Sequence, residues 1–215
     1  MLFLDFIKYI PKIEKEKLLA ADAHAKMAPL ERISFLKKMD YADKNPRKAA
    51  VLMLFYPKKK ETHLALIVRN TYPGVHSSQI SFPGGKVELE DNDLSETALR
   101  ETHEEVGIHP NKIQLIKSFS TIYIPPSNFL VSPFMGISHE ELQFIPDLKE
   151  VKRVLELPLS VFLDEKTITK VKMTTSYATD IEVPAFMVDK YIVWGATAMM
   201  MSELKEALVN VLKNK

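Results

Sequence analysis

The chain of 215 residues contains no cysteine, which excludes a disulfide framework, a thiolate nucleophile and a cysteine-ligated zinc. Charge of one sign is also missing: 29 Lys+Arg against 28 Asp+Glu leave a formal +1. That balance argues against a polybasic nucleic-acid binder and against a highly charged disordered chain. No apolar run approaches the roughly 20 residues of a membrane span. The opening MLFLDFIKYIPKIEKEK is interrupted by Asp5, Lys8 and Pro11, unlike the continuous apolar core of a secretory signal. These absences point to a cytoplasmic protein with no nucleic-acid or membrane partner. Glycine is scarce too, at 6 residues against roughly 7% in an average protein.

What is present is unevenly placed. Four of the six glycines (Gly74, Gly84, Gly85, Gly107) fall in one short stretch, and from Glu88 to Glu105 eight acidic residues face a single base, Arg100. That segment carries −7, so the remainder carries +8. A near-neutral total conceals an acidic focus in a mildly basic protein.

The hydrophobic pattern predicts a mixed α/β (α+β) chain, with a sheet covered by helices on both faces. Residues 1–45 read as helical, punctuated by Pro11 and Pro29. Ala49–Tyr56 and His63–Arg69 read as a hairpin around the charged turn Lys58–Glu61. Asp93–Val106 reads as a helix, with Asp93 as N-cap, Glu96 in capping-box position and Gly107 as the left-handed C-terminal residue. Strands are expected at Ile113–Tyr123 and Leu130–Ile137, around the turn Pro125–Asn128. Val151–Phe162 is expected to be a short helix broken by Pro158. Ile168–Thr174, Ile181–Phe186 and Tyr191–Trp194 read as strands and Ala198–Leu212 as a closing helix.

On the Asp93–Val106 helix, Glu101, Glu104 and Glu105 stand at i, i+3 and i+4 and project from one side. Like charges this close repel, and a hard divalent cation, which takes carboxylate oxygens, water and substrate phosphate, would offset the repulsion. Gly84–Gly85 permit close backbone approach to metal or phosphate. Arg100 lies one turn before Glu104, where it can hold that carboxylate.

The run Phe82-Pro-Gly-Gly-Lys-Val-Glu88, followed by Arg100-Glu-Thr-His-Glu-Glu-Val-Gly-Ile108, resembles the box of the Nudix hydrolases: Gly, five residues, Glu, seven residues, then Arg-Glu-aliphatic-x-Glu-Glu-x-Gly-aliphatic. Thr102 replaces the usual aliphatic. Counted back from Arg100, the regular Glu position is Asn92 and Gly85 stands one residue too far upstream. The same expansion is familiar in the coenzyme A pyrophosphatase branch. Leu66–Arg69, His76–Gly85, Glu150–Leu159 and Val193–Ala198 also resemble that branch, whereas Pro73-Gly74 and Ser78 depart from its signature, where Leu-Arg and Gly are usual.

The resemblance implies a Nudix-type α/β/α sandwich over 46–215, with residues 1–45 as a helical extension packed on it; a partner-binding arm is the alternative for that segment. It implies Mg²⁺ or Mn²⁺ held by Glu101, Glu104 and Glu105, with Arg100 orienting Glu104 and Glu150 as the candidate general base. Arg69, Gln79, Gly84 and Gly85 are the expected substrate contacts. His76 is assigned a structural role, His103 a solvent-facing one, and Phe82 and Trp194 the core. Tyr123, Pro125 and Phe129 fit either a nucleotide pocket or a turn. The implied reaction cleaves the diphosphate of coenzyme A or its thioesters to 3′,5′-ADP and a 4′-phosphopantetheine product. The departures leave open another nucleoside diphosphate derivative (ADP-ribose or a dinucleotide), and a ligand-binding module without turnover is a third reading. A homodimer is a possible assembly.

Overall fold

The computed structural model describes residues 1–38, 41–70, 79–174 and 179–213. Four short helices open the chain: α1 (Phe3–Phe6), α2 (Ile10–Lys15), α3 (Ala21–Ala25) and α4 (Leu30–Lys38). A hairpin follows, β1 (Arg47–Lys58) and β2 (Glu61–Arg69), then the short strands β3 (Ile80–Ser81) and β4 (Gly84–Lys86) and the helix α5 (Leu94–Val106). Beyond them come β5 (Gln114–Ser118), β6 (Ile122–Ile124), β7 (Phe129–Ile137), β8 (Val151–Pro158) and α6 (Leu159–Leu163). The chain closes with β9 (Ile168–Met173), β10 (Ile181–Val188), β11 (Tyr191–Val193) and α7 (Gly195–Lys213).

Strands β1 to β8 form one mixed sheet in the order β3-β2-β1-β7-β5, with β4 also beside β1, β6 beside β7 and β8 beside β2. The β1–β7 pair is parallel, from Arg47↔Phe129 to Phe55↔Ile137, and the other pairings are antiparallel. A second, three-stranded sheet runs β11-β10-β9.

Strand alternation divides β1 between two cores. Ala50, Leu52, Leu54 and Tyr56 meet Ala98 and Val106 of α5 on one face. Val51, Met53 and Phe55 meet α7, the N-terminal helices and β10 on the other. The N-terminal residues Phe3, Phe6, Ile10, Ile13 and Met27 are each at most 8% exposed and belong to that second core. They also clasp the β1–β2 turn, where Phe3 N–H donates to Lys60 O at 2.9 Å. Lys59 and Lys60 both take positive φ there, +50° and +69°, the backbone that two-residue hairpin turns require.

The expected helix over Val151–Phe162 is instead strand β8 followed by the single turn α6. Leu155 and Leu157 point inward at period two, opposite Leu66 and Leu64 of β2, and the free edge of the hairpin takes the segment up as a strand. Pro158 ends the strand and, with φ −60°, opens α6. The strand expected over Ile113–Tyr123 is two strands, separated by Phe119–Thr121, and α7 begins at Gly195, three residues before the expected start.

Candidate active site

Helix α5 is built from local signals. The Asp93 side chain accepts from the N–H groups of Ser95 (2.7 Å) and Glu96 (3.0 Å), and Gly107 closes the helix at φ +74°. Glu96 reaches back to Asn92 N–H (2.9 Å) rather than to the capping residue itself. Thr97, Ala98, Thr102 and Val106 are buried beneath the helix. This anchoring leaves Glu101 and Glu105 aimed at the edge of β4.

Glu105 is 1% exposed. It accepts from Gly84 N–H at 2.8 Å and from Arg69 Nη1 at 3.0 Å. Burial pushes its carboxyl up to about 7; Arg69 and the Gly84 N–H oppose the shift, while Glu101 and Glu150 add repulsion. Glu101 is likewise raised, by burial first, against the pull of Arg100. A Cβ at Gly85 would stand in the carboxylate of Glu101, which would have to swing aside to admit it. A Cβ at Gly84, whose φ is +149°, would strike the backbone of Ala50 and Val51.

Arg100 organises the outer half of the site. Its Nη1 donates to Glu101 (3.2 Å) and Glu104 (3.0 Å), and its Nη2 to Lys86 O (3.0 Å). Its Nε and Nη2 form a fork on the two oxygens of Asp91, at 2.9 and 3.0 Å. This pairing holds the Asp91 carboxyl well below the usual range. Asp91 also accepts from Thr97 Oγ1 and Glu88 N–H, each at 2.9 Å. Asp91 escaped the sequence reading. Counting back from Arg100 lands on Asn92, whereas five residues forward from Gly85 lead to Asp91; the extra residue lies between Asp91 and Arg100.

The other expected site residues are largely brought together. Arg69, Gln79, Gly84 and Gly85 line a cavity of about 480 Å³. The glycine pair separates it from Glu101 and Glu105. Glu150 is exposed, in the turn before β8 rather than at a helix start, yet close enough to raise both glutamates electrostatically. It is delivered by the 145–151 segment, whose Ile145 and Asp147 N–H groups donate to the Val106 and Glu105 carbonyls of α5. Glu104, with its side chain 56% exposed, faces outward onto Arg100. Phe82 is core, His103 faces solvent, and Trp194 lines the cavity instead of the core. Phe129 lines it too, beneath the Arg47 guanidinium at 4.1 Å, whereas Tyr123 borders a second cavity. His76, Pro73-Gly74 and Ser78 lie outside the described residues. Lys86 and Arg32, also in the cavity wall, were not foreseen.

Among the described residues, no three acidic or histidine side chains already stand as a metal cluster; Arg100 and Arg69 donate to the site carboxylates. The donor set nevertheless fits a hard divalent cation. It is all oxygen, two members are buried enough to disfavour their own charge, and glycine keeps the space before Glu101 open.

Comparison with known proteins now decides the family, since a NUDIX domain model matches residues 46–167. The chain belongs to the Nudix hydrolases. Members act on phosphoanhydride bonds and generally use divalent metal ions. An uncharacterized Nudix hydrolase NudL of Enterobacter sp. (strain 638) is 33% identical over 187 residues, 81% of this chain and 90% of that one. The peroxisomal coenzyme A diphosphatase NUDT7 of Mus musculus is 32% identical over 145 residues, 66% of this chain and 61% of that protein's length. The Nudix hydrolase RenU of M. smegmatis shares the fold at a TM-score of 0.53, with 14% identity over 77% of this chain and 87% of that one. No helix among the described residues is long and apolar enough to cross a membrane.

Proposed function

We propose that this Nudix hydrolase is a Mg²⁺- or Mn²⁺-dependent pyrophosphohydrolase that cleaves the diphosphate of coenzyme A or its thioesters, releasing 3′,5′-ADP and a 4′-phosphopantetheine product. The reading is carried by one arrangement: Glu101 and Glu105 stand against a glycine pair at the end of a cavity whose charged lining side chains among the described residues, Arg32, Arg69 and Lys86, are basic. A cation bound there would neutralise diphosphate oxygens and activate water. Glu101, Glu104 and Glu105 would hold it, and the Gly84–Gly85 backbone would border the substrate diphosphate. Arg100, forked on Asp91, positions Glu101 and Glu104. Arg69 positions Glu105. Glu150 would take the proton of the attacking water. Gln79 would contact the substrate.

Support for coenzyme A comes from the expanded box and from the printed activity of the mouse relative. The signature departures at Pro73-Gly74 and Ser78 favour keeping ADP-ribose or a dinucleotide as the second reading. We read residues 46–215 as the catalytic domain and 1–45 as its extension, consistent with a family match that begins at residue 46. The cytoplasm and a homodimer are the expected setting and assembly; cell fractionation and light scattering read them. The deciding experiment incubates purified protein with Mg²⁺ or Mn²⁺ and a panel of coenzyme A, its thioesters, ADP-ribose and dinucleotides, with products identified by mass spectrometry. Robust turnover of ADP-ribose without cleavage of coenzyme A rejects the assignment.

A further inference from the structure

The far wall of the cavity is furnished by a residue outside the span of the family match. Arg32 of α4 is 7% exposed, yet its side chain borders the cavity. Its Nη2 donates to the carbonyl of Tyr123 on β6, 91 positions away in the chain. The strand register places this carbonyl relative to the glycine strand. Lys86 of β4 pairs with Ala49 of β1, Ala49 with Val131 of β7, and Val131 with Ile122, the neighbour of Tyr123. Three inter-strand steps separate the two ends, ~14 Å at the usual spacing. A ligand whose diphosphate lies at Gly84–Gly85 therefore meets Arg32 with a different part of itself. No acidic side chain lines the cavity among the described residues, and a guanidinium is a planar donor group whose geometry suits phosphate oxygens.

We propose that Arg32 is a specificity-determining residue, which receives a second anionic group on the substrate, a phosphomonoester remote from the scissile diphosphate. The N-terminal segment thereby completes the binding pocket. The proposal rests on the reading of the cavity as the site for a nucleoside diphosphate derivative, and its test separates the two. Binding of adenosine 3′,5′-bisphosphate and of 5′-AMP is measured by calorimetry without divalent cation, for wild type, R32Q and R32K. Turnover of coenzyme A and dephospho-coenzyme A is measured in parallel.

The wild type is expected to bind the bisphosphate about tenfold or more tightly than the monophosphate, the scale of a charge-assisted contact. In R32Q the ratio collapses toward one, and R32K keeps part of it. The KM ratio of the two cofactors moves in the same sense, while the kcat ratio stays put. A wild type that fails to discriminate, a ratio retained in R32Q, or an equal loss for both ligands overturns the proposal. Discrimination in binding without cleavage of either cofactor would leave Arg32 assigned and sink the proposed reaction instead. Cleavage of both cofactors with equal KM would do the reverse.

Discussion

Glu105 and Glu101 carry charge where burial disfavours it, and each is kept in place by an arginine: Arg69 for Glu105, and for Glu101 the Arg100 that also holds Asp91 and Glu104. Neutral substitutions keep the shape and remove the charge. E101Q and E105Q are therefore expected to lower kcat by on the order of 10²-fold or more, the scale of losing one preorganised electrostatic group. Steady-state rates at saturating Mg²⁺ check this, and unchanged rates would refute the mechanism. Asp91 acts one step back. Its side chain is 4% exposed and anchors Arg100 through two parallel bonds, so D91A leaves a half-buried guanidinium without its fork. An expected loss of about 2–3 kcal/mol follows from removing hydrogen bonds to a charged group, together with a fall in kcat, and both are readable from urea melts and kinetics. The glutamates were legible because their spacing on one helix is a local property. Asp91 was not, because a single inserted residue shifts the count when it is taken from the wrong end.

At the level of elements, the three-residue strand β4 fixes the geometry of the site, and its first two residues fail differently when altered. G84A places a Cβ into strand backbone at positive φ, which nothing nearby can relieve. The expected result is destabilisation by more than ~1 kcal/mol. G85A meets only the tip of a flexible side chain, so the fold should survive with little change in melting temperature. The displaced carboxylate of Glu101 should nevertheless cost at least an order of magnitude in kcat. Thermal melts and rates measured on the same two variants distinguish the cases; equal behaviour would contradict the assignment of the two glycines. Helix α5 and the β1–β2 hairpin could be read in advance because capping residues and turn charges lie within them. Strand β8 could not. Leu155 and Leu157 satisfy a strand and are tolerated by a helix, and the free edge of β2 that chooses between them is some ninety residues upstream.

Across the whole molecule, Glu203 of α7 ties distant segments together. It accepts from Ala20 N–H (2.7 Å), Ser120 N–H (3.0 Å) and Ser120 Oγ (2.6 Å), and His24 Nε2 stands 3.6 Å away. Burial raises its carboxyl, but His24 and the Ser120 hydrogen bonds outweigh burial and leave it below the ordinary value of 4.5. A carboxylate depressed by folding adds stability that is complete above its unfolded value and is lost as pH falls through the folded one. Wild-type stability should therefore decline below about pH 4.5. E203Q should flatten that decline and cost roughly 3 kcal/mol near neutrality, where it mispairs buried donors. Denaturant titrations from pH 3 to 7 measure both effects. Removing residues 1–28 should be more severe. Phe3, Phe6, Ile10, Ile13 and Met27 are all buried in the main core, and at about 1.5–3 kcal/mol each their loss rivals the whole stability of a domain. Loss of cooperative melting is the expected readout. This dependence was hidden from the sequence, where charged helical segments look the same whether they cap a core or leave it.

The bond from Ala20 to Glu203 joins residues 183 positions apart, which bears on how the protein is made. Translation proceeds at about 5–20 residues per second, so the N-terminal helices leave the ribosome roughly ten to forty seconds before the helix that covers them. Through that interval Phe6 and Ile13 have no finished core to enter. The pocket wall that Arg32 supplies likewise waits for its anchor, the Tyr123 carbonyl on β6.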